Sequence, residues 1–459
     1  MLNLVLINPL SIKSGIGASK NSNFPPLSLS FIAAVTPADY RVTIIDENME
    51  KCSFPDADLV GITGYTSAIN RGYQIASEYR KKGVAVIMGG IHVSMLPDEA
   101  LKYCDCVVTG EAEAIWPSVL KDFENGTLKK IYEGGFADIT NFILPRRDLL
   151  NPNYFWGTLQ TSRGCPLNCN FCSVTAFNGR QYRRRSMDNV IAELQQIKQR
   201  LIFLIDDNIL GFSEDDREWL IELLSRIKQL KLRKIFLAQS SIQIGEYPGL
   251  LRLANKAGIK TIFIGMESLE RQTLESFNKT LNASMLKKNR YYELIKNIRK
   301  SGIGVLGAFI LGSDTDSISS FKTTYDFIIK SGIDVIQLTK PTPLPGTKFY
   351  ETLDSENRIT KKNYPSDWND YRFTRLVFKP LNLSIKDVYE GFAWIRLNFY
   401  SRPVKIHRYL RTLLDTKDFV TAYLVYRLNA AYEVAFRTSE LFDDTNISYL
   451  NKKFGKRNS

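Results

Sequence analysis

Histidine is nearly absent: His92 and His407 are the only two in 459 residues. Imidazole-rich metal sites are therefore excluded. Cysteine is also scarce, at six. Cys104 and Cys106 stand two apart, a poor spacing for a disulfide, and with Cys52 they read as free thiols. That usage suits a reducing compartment, so the expected location is the cytoplasm. No run of 18 uncharged apolar residues occurs, which predicts no spanning helix. The segment Met1-Leu-Asn-Leu-Val-Leu-Ile-Asn-Pro9 lacks a basic leader and reads as a first strand rather than a signal peptide. Zinc-finger, RNA-recognition and helix-turn-helix signatures are missing, so no nucleic-acid partner is expected. The net charge of +13 suits solubility or an acidic partner and does not choose between them.

Against this background one run stands out: Thr161-Ser-Arg-Gly-Cys-Pro-Leu-Asn-Cys-Asn-Phe-Cys-Ser173. Three of the six cysteines, Cys165, Cys169 and Cys172, fall in a C-x3-C-x2-C spacing. Roughly 0.001 such occurrences are expected by chance at this cysteine frequency. Thiolates are soft ligands suited to iron–sulfur clusters, zinc or copper(I). A closed site wants four ligands, and no fourth Cys or His lies nearby. The spacing points to a [4Fe–4S] cluster with one iron open to a small molecule. A three-thiolate zinc site with a remote fourth ligand is the plainer alternative.

C-x3-C-x-aromatic-C, with Phe171 as the aromatic, resembles the signature of the radical S-adenosylmethionine (SAM) superfamily. The resemblance implies that SAM chelates the open iron and is cleaved reductively to methionine and a 5′-deoxyadenosyl radical. A reductant such as flavodoxin or ferredoxin is implied as a partner.

Residues 1 to about 140 alternate strands and helices. Strands are expected at 2–8, 40–46, 58–63, 84–88 and 106–109, with helices from Pro25 and over 68–82. This rhythm predicts a doubly wound parallel sheet, which binds ligands at strand carboxyl ends. Asp46, Thr63-Gly64, Gly89-Gly90 and Gly110-Glu111 fall at such ends. Their glycines suit close backbone approach to a flat ligand, or simply tight turns. Together with Pro25-Pro26-Leu27, His92 and Glu113, these pieces resemble the cobalamin-binding domain of class B radical SAM enzymes. The resemblance implies that Asp46, Thr63, Gly89, Gly90, His92, Gly110 and Glu111 contact cobalamin. One departure is plain: neither histidine fits a D-x-H-x-x-G loop, so a histidine lower ligand is not expected.

Residues 121–155 read as a connector. A second β/α series follows, with strands at 157–161, 201–205, 235–238, 260–264, 304–311 and 335–338. Such units predict a full or partial (β/α) barrel, with chemistry at strand C-termini. The strand ends resemble superfamily elements. Asp206-Asp207-Asn208 matches the segment at the SAM amino group. Gly265-Met-Glu267-Ser268, with Ser240, matches those holding ribose or SAM polar groups. Ile310 and Gly312 match the adenine segment. Arg183 or Arg185, in an Arg-x-Arg-Ser run, would approach the cofactor. After Thr360 the rhythm stops and several helices are expected, with the tail from Asn451 frayed. This region resembles the helical tail of the subset containing hopanoid C-2 methylases.

The expected architecture is thus α/β with three domains. Residues 1–140 form a cobalamin-binding-like Rossmann-type domain and 150–360 a radical SAM barrel. Residues 361–459 form a helical domain suited to substrate or to peripheral membrane contact on the cytoplasmic face. The leading function is methylation of an unactivated carbon of a hydrophobic, lipid-like small molecule, using the cluster, SAM and cobalamin. An oxidative cyclase or rearrangement enzyme and a non-enzymatic iron–sulfur or corrinoid sensor are the alternatives. Methylthiolation is disfavoured, because that family carries a further cysteine triad near its N-terminus. No residue identifies itself as a general base.

Overall fold

The computed structural model describes residues 1–10, 23–437 and 447–455. The first sheet holds β1 (Leu2–Asn8), β2 (Tyr40–Asp46), β3 (Leu59–Thr63), β4 (Ala85–Gly89), β5 (Cys106–Thr109) and β6 (Ile131–Glu133), in the order β2-β1-β3-β4-β5-β6. Every pairing is parallel. β1 is central and buried from Leu4 to Ile7, as a strand covered on both faces must be. The chain steps from β1 outward to β2 and then back across to β3, so the strand order reverses between β1 and β3. A crevice opens outside the carboxyl ends at such a switch.

β6 lies in what the sequence reads as a connector. Only Tyr132 of its three residues is buried, and three residues are too few for a period of two to announce this edge strand.

The second sheet begins with β7 (Trp156–Leu159). A short antiparallel hairpin follows, of β8 (Ser162–Arg163) and β9 (Arg183–Arg184). Then come β10 (Leu201–Leu204), β11 (Ile235–Ser240), β12 (Ile259–Glu267), β13 (Gly304–Ile310) and β14 (Val335–Thr339), in the parallel order β14-β13-β12-β11-β10-β7. β7 and β14 remain unpaired with each other, so the barrel is partial. Helices alternate with the strands. The longest of these, Glu214–Leu230, starts at a capping box in which the Ser213 hydroxyl accepts the Asp216 amide, and three acids fill its first turn.

The C-terminal region decides how the open barrel is closed. Leu424, on helix Phe419–Arg437, joins Trp156 of β7 and Leu237 of β11 in one buried cluster, with Phe24 and Phe203 against it. The Asn429 side chain donates to the Asp334 carbonyl at 2.9 Å, and the Tyr432 hydroxyl to Gln337 Oε1 at 2.8 Å. This helix therefore packs across the amino-terminal ends of the second sheet's strands. Another segment straps back to the first sheet. Trp368, 1% exposed, donates its indole N–H to both Glu99 oxygens at 3.0 and 3.1 Å. Burying such a ring contributes roughly 2–3 kcal/mol, provided the N–H finds a partner.

The tail from Asn451, expected to be frayed, is instead part of helix Ile447–Phe454. Leu450 and Phe454 are buried, and Asn451 accepts the Trp394 indole N–H at 3.0 Å. Residues 456–459 lie outside the described residues. Among the described residues no helix is long and apolar enough to cross a membrane.

Candidate functional site

The cysteine loop leaves β8 at Gly164, whose φ is 86° and whose absent Cβ would lie 2.2 Å from the Gln181 carbonyl oxygen. Only glycine fits there. The loop is then fastened by backbone. The Asn170 amide donates to the Phe277 carbonyl and the Phe349 amide to the Asn170 carbonyl, both at 3.0 Å. The Asn278 side chain holds the Asn168 carbonyl at 2.7 Å. Phe171 meets Phe277 edge-on, with ring centroids 5.0 Å apart.

Cys165, Cys169 and Cys172 are free thiols, each half-buried. Burial pushes Cys165 up to about 11 and Cys172 to about 12, and raises Cys169 as well. Among the described residues no three Cys, His, Asp or Glu side chains already stand as a metal-binding group. The thiols share one loop and influence one another electrostatically. The donor set of three soft sulfurs fits an iron–sulfur cluster with an open iron, which Cys165, Cys169 and Cys172 would hold as thiolates.

Parallel pairing lines up the ends of β10 to β13 on the rim that carries this loop. The residues expected there divide by environment. Asp206 is fully buried, and its Oδ1 accepts the Thr161 amide at 3.0 Å, the Thr161 hydroxyl at 2.7 Å and the Ser162 hydroxyl at 2.5 Å. It braces the root of the cysteine loop. Asn208 also serves the scaffold: its Oδ1 accepts the Ser240 hydroxyl and the Ser241 amide, and its Nδ2 donates to the Gly211 carbonyl. Ser240 is thereby taken up. Asp207 is open to the rim but ringed by protein. Burial, then the Asp206 charge, push its carboxyl up to about 6.

Gly265 and Glu267 sit on a bulge in β12, with Glu267 at a φ of 63°. The Glu267 carboxylate is held by Lys279 Nζ at 2.8 Å. Burial would lower the Lys279 amine, but Glu267 together with Cys169 and Cys172 outweighs it and holds it above the ordinary lysine range. Lys279 Nζ lies 5.9 Å from the Phe171 ring. The Ser268 hydroxyl accepts the Glu270 amide at 3.0 Å. Ile310 is buried. The Gly312 amide donates to Asp316 at 2.8 Å.

A cavity of about 640 Å³ opens at the switch point of the first sheet. Thr63, Gly89, Gly90, Gly110 and Glu111 line it on one side, and Thr158, Gln160, Arg163, Phe177 and Ile205 on the other. Of the residues expected from the sequence to face a corrin, five are gathered here and two are not. Asp46 does not line the cavity. It is 3% exposed and spends Oδ1 on the Asn8 and Asn48 side chains, while the Tyr154 hydroxyl bonds its other oxygen. His92 also points elsewhere. It is 1% exposed, its Nδ1 meets Thr66 Oγ1 at 3.2 Å and its Nε2 meets Glu99 at 3.3 Å. Neither His92 nor His407 lines the cavity. The glycines serve the loops as much as any ligand. A Cβ on Gly90, at a φ of 93°, would lie 2.9 Å from the Gly64 nitrogen, and one on Gly110 2.9 Å from the Gly135 oxygen.

Several lining or bracing residues escape sequence reasoning. Tyr65 follows β3 and opens into the cavity, 61% exposed. Its position just after Thr63-Gly64 was the only available signal. Arg163 and Lys279 carry none, because their acidic partners are distant in sequence.

Comparison with known proteins agrees with this geometry. Residues 13–120 match the family model described as B12 binding domain, and residues 159–328 the model described as Radical SAM superfamily. The chain is 30% identical over 390 residues to bacteriochlorophyllide d C-8(2)-methyltransferase of Chlorobaculum tepidum, covering 78% of this chain and 82% of that one. It is 28% identical to the C-12(1)-methyltransferase of the same organism, covering 82% of each. It is 26% identical to hopanoid C-2 methylase of Rhodopseudomonas palustris, covering 73% and 65%. The fold is that of the radical S-adenosylmethionine methyltransferase TsrM of Kitasatospora setae, solved with cobalamin and a [4Fe-4S] cluster. The TM-score is 0.69 at 14% identity, covering 96% of this chain and all of that one.

Proposed function

The chain belongs to the cobalamin-dependent radical SAM methyltransferase family, and from that premise we propose that it methylates an unactivated carbon of a hydrophobic, lipid-like small molecule. When bound, the cluster and SAM supply a 5′-deoxyadenosyl radical to activate the carbon, and methylcobalamin supplies the methyl group. The observation that carries the reading is a cavity walled by both sheets. Its far wall includes Phe177, just beyond the cysteine loop. Both cofactors would then face one substrate. Relatives acting on bacteriochlorophyllide d and hopanoids support a hydrophobic substrate.

Residues are assigned on the same footing. Cys165, Cys169 and Cys172 would hold the cluster. Asp206 and Asn208 would brace its loop and the neighbouring strand ends, and Lys279 with Glu267 would set the charge beside Cys169. Thr63, Tyr65, Gly89 and Gly90 would border the corrin. Residues 1–140, 150–360 and 361–459 divide this work as corrinoid, radical and peripheral units. A flavodoxin- or ferredoxin-type reductant would deliver electrons.

The peripheral unit would rest on an anionic bilayer. Ile406, Leu410 and Leu414 recur at helical spacing on helix Arg402–Thr416, at 63%, 51% and 72% exposure. Phe419, Tyr423 and Tyr426 continue the apolar face on the next helix. Exposed Arg402, Lys417 and Arg427 belong to the same helix pair. Apolar face plus basic charge is the chemistry of docking to acidic headgroups.

The test is anaerobic turnover of the reconstituted protein with SAM, methylcobalamin and reductant, offered bacteriochlorophyllide d and a hopanoid in parallel. A product carrying one added methyl group, with 5′-deoxyadenosine, is expected from the wild type and neither from Cys165→Ala. A dehydrogenated or ring-closed product without methylation would refute the reading.

A further inference from the structure

Four buried charges lie where the two sheets meet. Glu111 and Glu113 follow β5 of the first sheet. Arg163 and Arg183 are the paired residues of the β8–β9 hairpin, and Arg163 is two residues before Cys165. Glu111 Oε2 accepts Arg163 Nη1 and Arg183 Nη1, each at 3.0 Å. Its Oε1 pairs with Arg183 Nη2. Glu113 Oε1 accepts Arg163 Nη2 at 2.8 Å. The four side chains are only 2% to 12% exposed. The Arg163 guanidinium is also held over the Phe142 and Phe31 rings, 4.9 and 5.7 Å from their centroids.

We propose that this network fixes the cluster loop against the corrinoid cavity, so that Glu111, Glu113, Arg163 and Arg183 are positioning residues that set the separation of cobalt from iron. The inference rests on the assignment of the two cofactors above. Three observations carry it. Both acids come from the corrinoid half and both guanidinium groups from the hairpin that opens onto Cys165. The charges balance two against two, so the network is complete only when the halves are docked. Glu111, Glu113 and Arg163 themselves line the cavity, so any occupant touches the groups that hold the loop root. Buried ion networks cost desolvation that packed apolar residues avoid, and are best attested as devices of registry. A lysine at 163 reaches one acid as a point charge, whereas the arginine fork bridges two.

The test compares wild type with Arg163→Lys and Glu113→Gln, each reconstituted anaerobically with iron and sulfide and loaded with hydroxocobalamin. After reduction to cob(II)alamin and the reduced cluster, pulsed EPR reads the dipolar coupling between the two spin centres. The expected result is one narrow coupling in wild type and a distribution at least about twofold broader in the variants, at equal iron and corrinoid content. During turnover the ratio of 5′-deoxyadenosine to methylated product should rise about tenfold in the variants, because radical formation outlives its coupling to methyl transfer. Variants with full cofactor content, wild-type coupling and a wild-type ratio would overturn the proposal. So would loss of both cofactors in Arg163→Lys, which would mark the network as general support of the fold. The spectral readout needs no substrate. A wrong substrate class therefore shows as missing product in wild type, and a wrong network as unchanged coupling in the variants.

Discussion

Removing the Asp206 carboxylate should unseat the cysteine loop without touching a cysteine. One oxygen, Oδ1, receives three hydrogen bonds from Thr161 and Ser162, the residues that lead into Gly164 and Cys165. Asp206→Ala strands the buried Thr161 amide, at about 1–3 kcal/mol, and breaks two hydroxyl bonds at about 1 kcal/mol each. The deletion also relieves a desolvated carboxylate. Burial raises Asp206 above the usual carboxylate range even against the bonds from Ser162 and Thr161, and its Oδ2 has no partner among the described residues. The expected net loss is about 2–4 kcal/mol. Asp206→Asn keeps an acceptor at Oδ1 and should cost about 1 kcal/mol. Urea unfolding of the anaerobic protein measures the stability, and iron bound per chain after reconstitution measures the loop. Asp206→Ala is expected to lose iron and Asp206→Asn to keep most of it. An Asp206→Ala protein within about 0.5 kcal/mol of wild type, fully loaded with iron and impaired only in SAM binding, would refute the bracing role. It would restore the direct SAM contact that the sequence motif suggests.

Two further outcomes follow from other parts of the chain. Lys340 is 6% exposed, donates to the Thr374 carbonyl, and lies 4.0 and 4.5 Å from the Phe392 and Tyr389 ring centroids. Burial pulls its amine down to about 7. Between pH 7 and the ordinary lysine range the unfolded chain therefore binds more protons here than the folded one, so stability should rise with pH across that window. Lys340→Met should remove this slope. It should be more stable than wild type at pH 7 by about 4 kcal/mol, the order of magnitude that linkage gives for a lysine lowered to about 7. Urea midpoints at about pH 7 and pH 9 check this, and a variant less stable than wild type at the lower pH counts against it. On the outer helices, Leu410→Glu with Leu414→Glu should weaken sedimentation with anionic vesicles about 100-fold, the loss of two inserted side chains. Wild-type binding that is absent, or equal in the double variant, removes the membrane from the account.

The chemistry of this protein is carried in its local sequence. The cysteine spacing lies within eight residues, and the glycine turns and the β/α rhythm are read over a few residues each. These features give the cofactor class, the parallel sheets and the strand ends that bear ligands, because spacing and periodicity act before the chain closes. They do not give partners. The motif at Asp206 and Asn208 reads as ligand contact, yet both side chains are largely spent inside the scaffold. His92 reads as a corrin neighbour, but Trp368, 276 positions later, closes over it with ring centroids 5.2 Å apart. The β6 edge strand is too short for a period of two to announce it. The plugging of the open barrel depends on where helix Phe419–Arg437 docks, which its own periodicity does not state. Arg163 meets Glu111 across 52 positions. Which charges are neutralised, which polar atoms are used up and which faces stay open are fixed only when distant segments exclude water together. Tertiary structure alone decided those points.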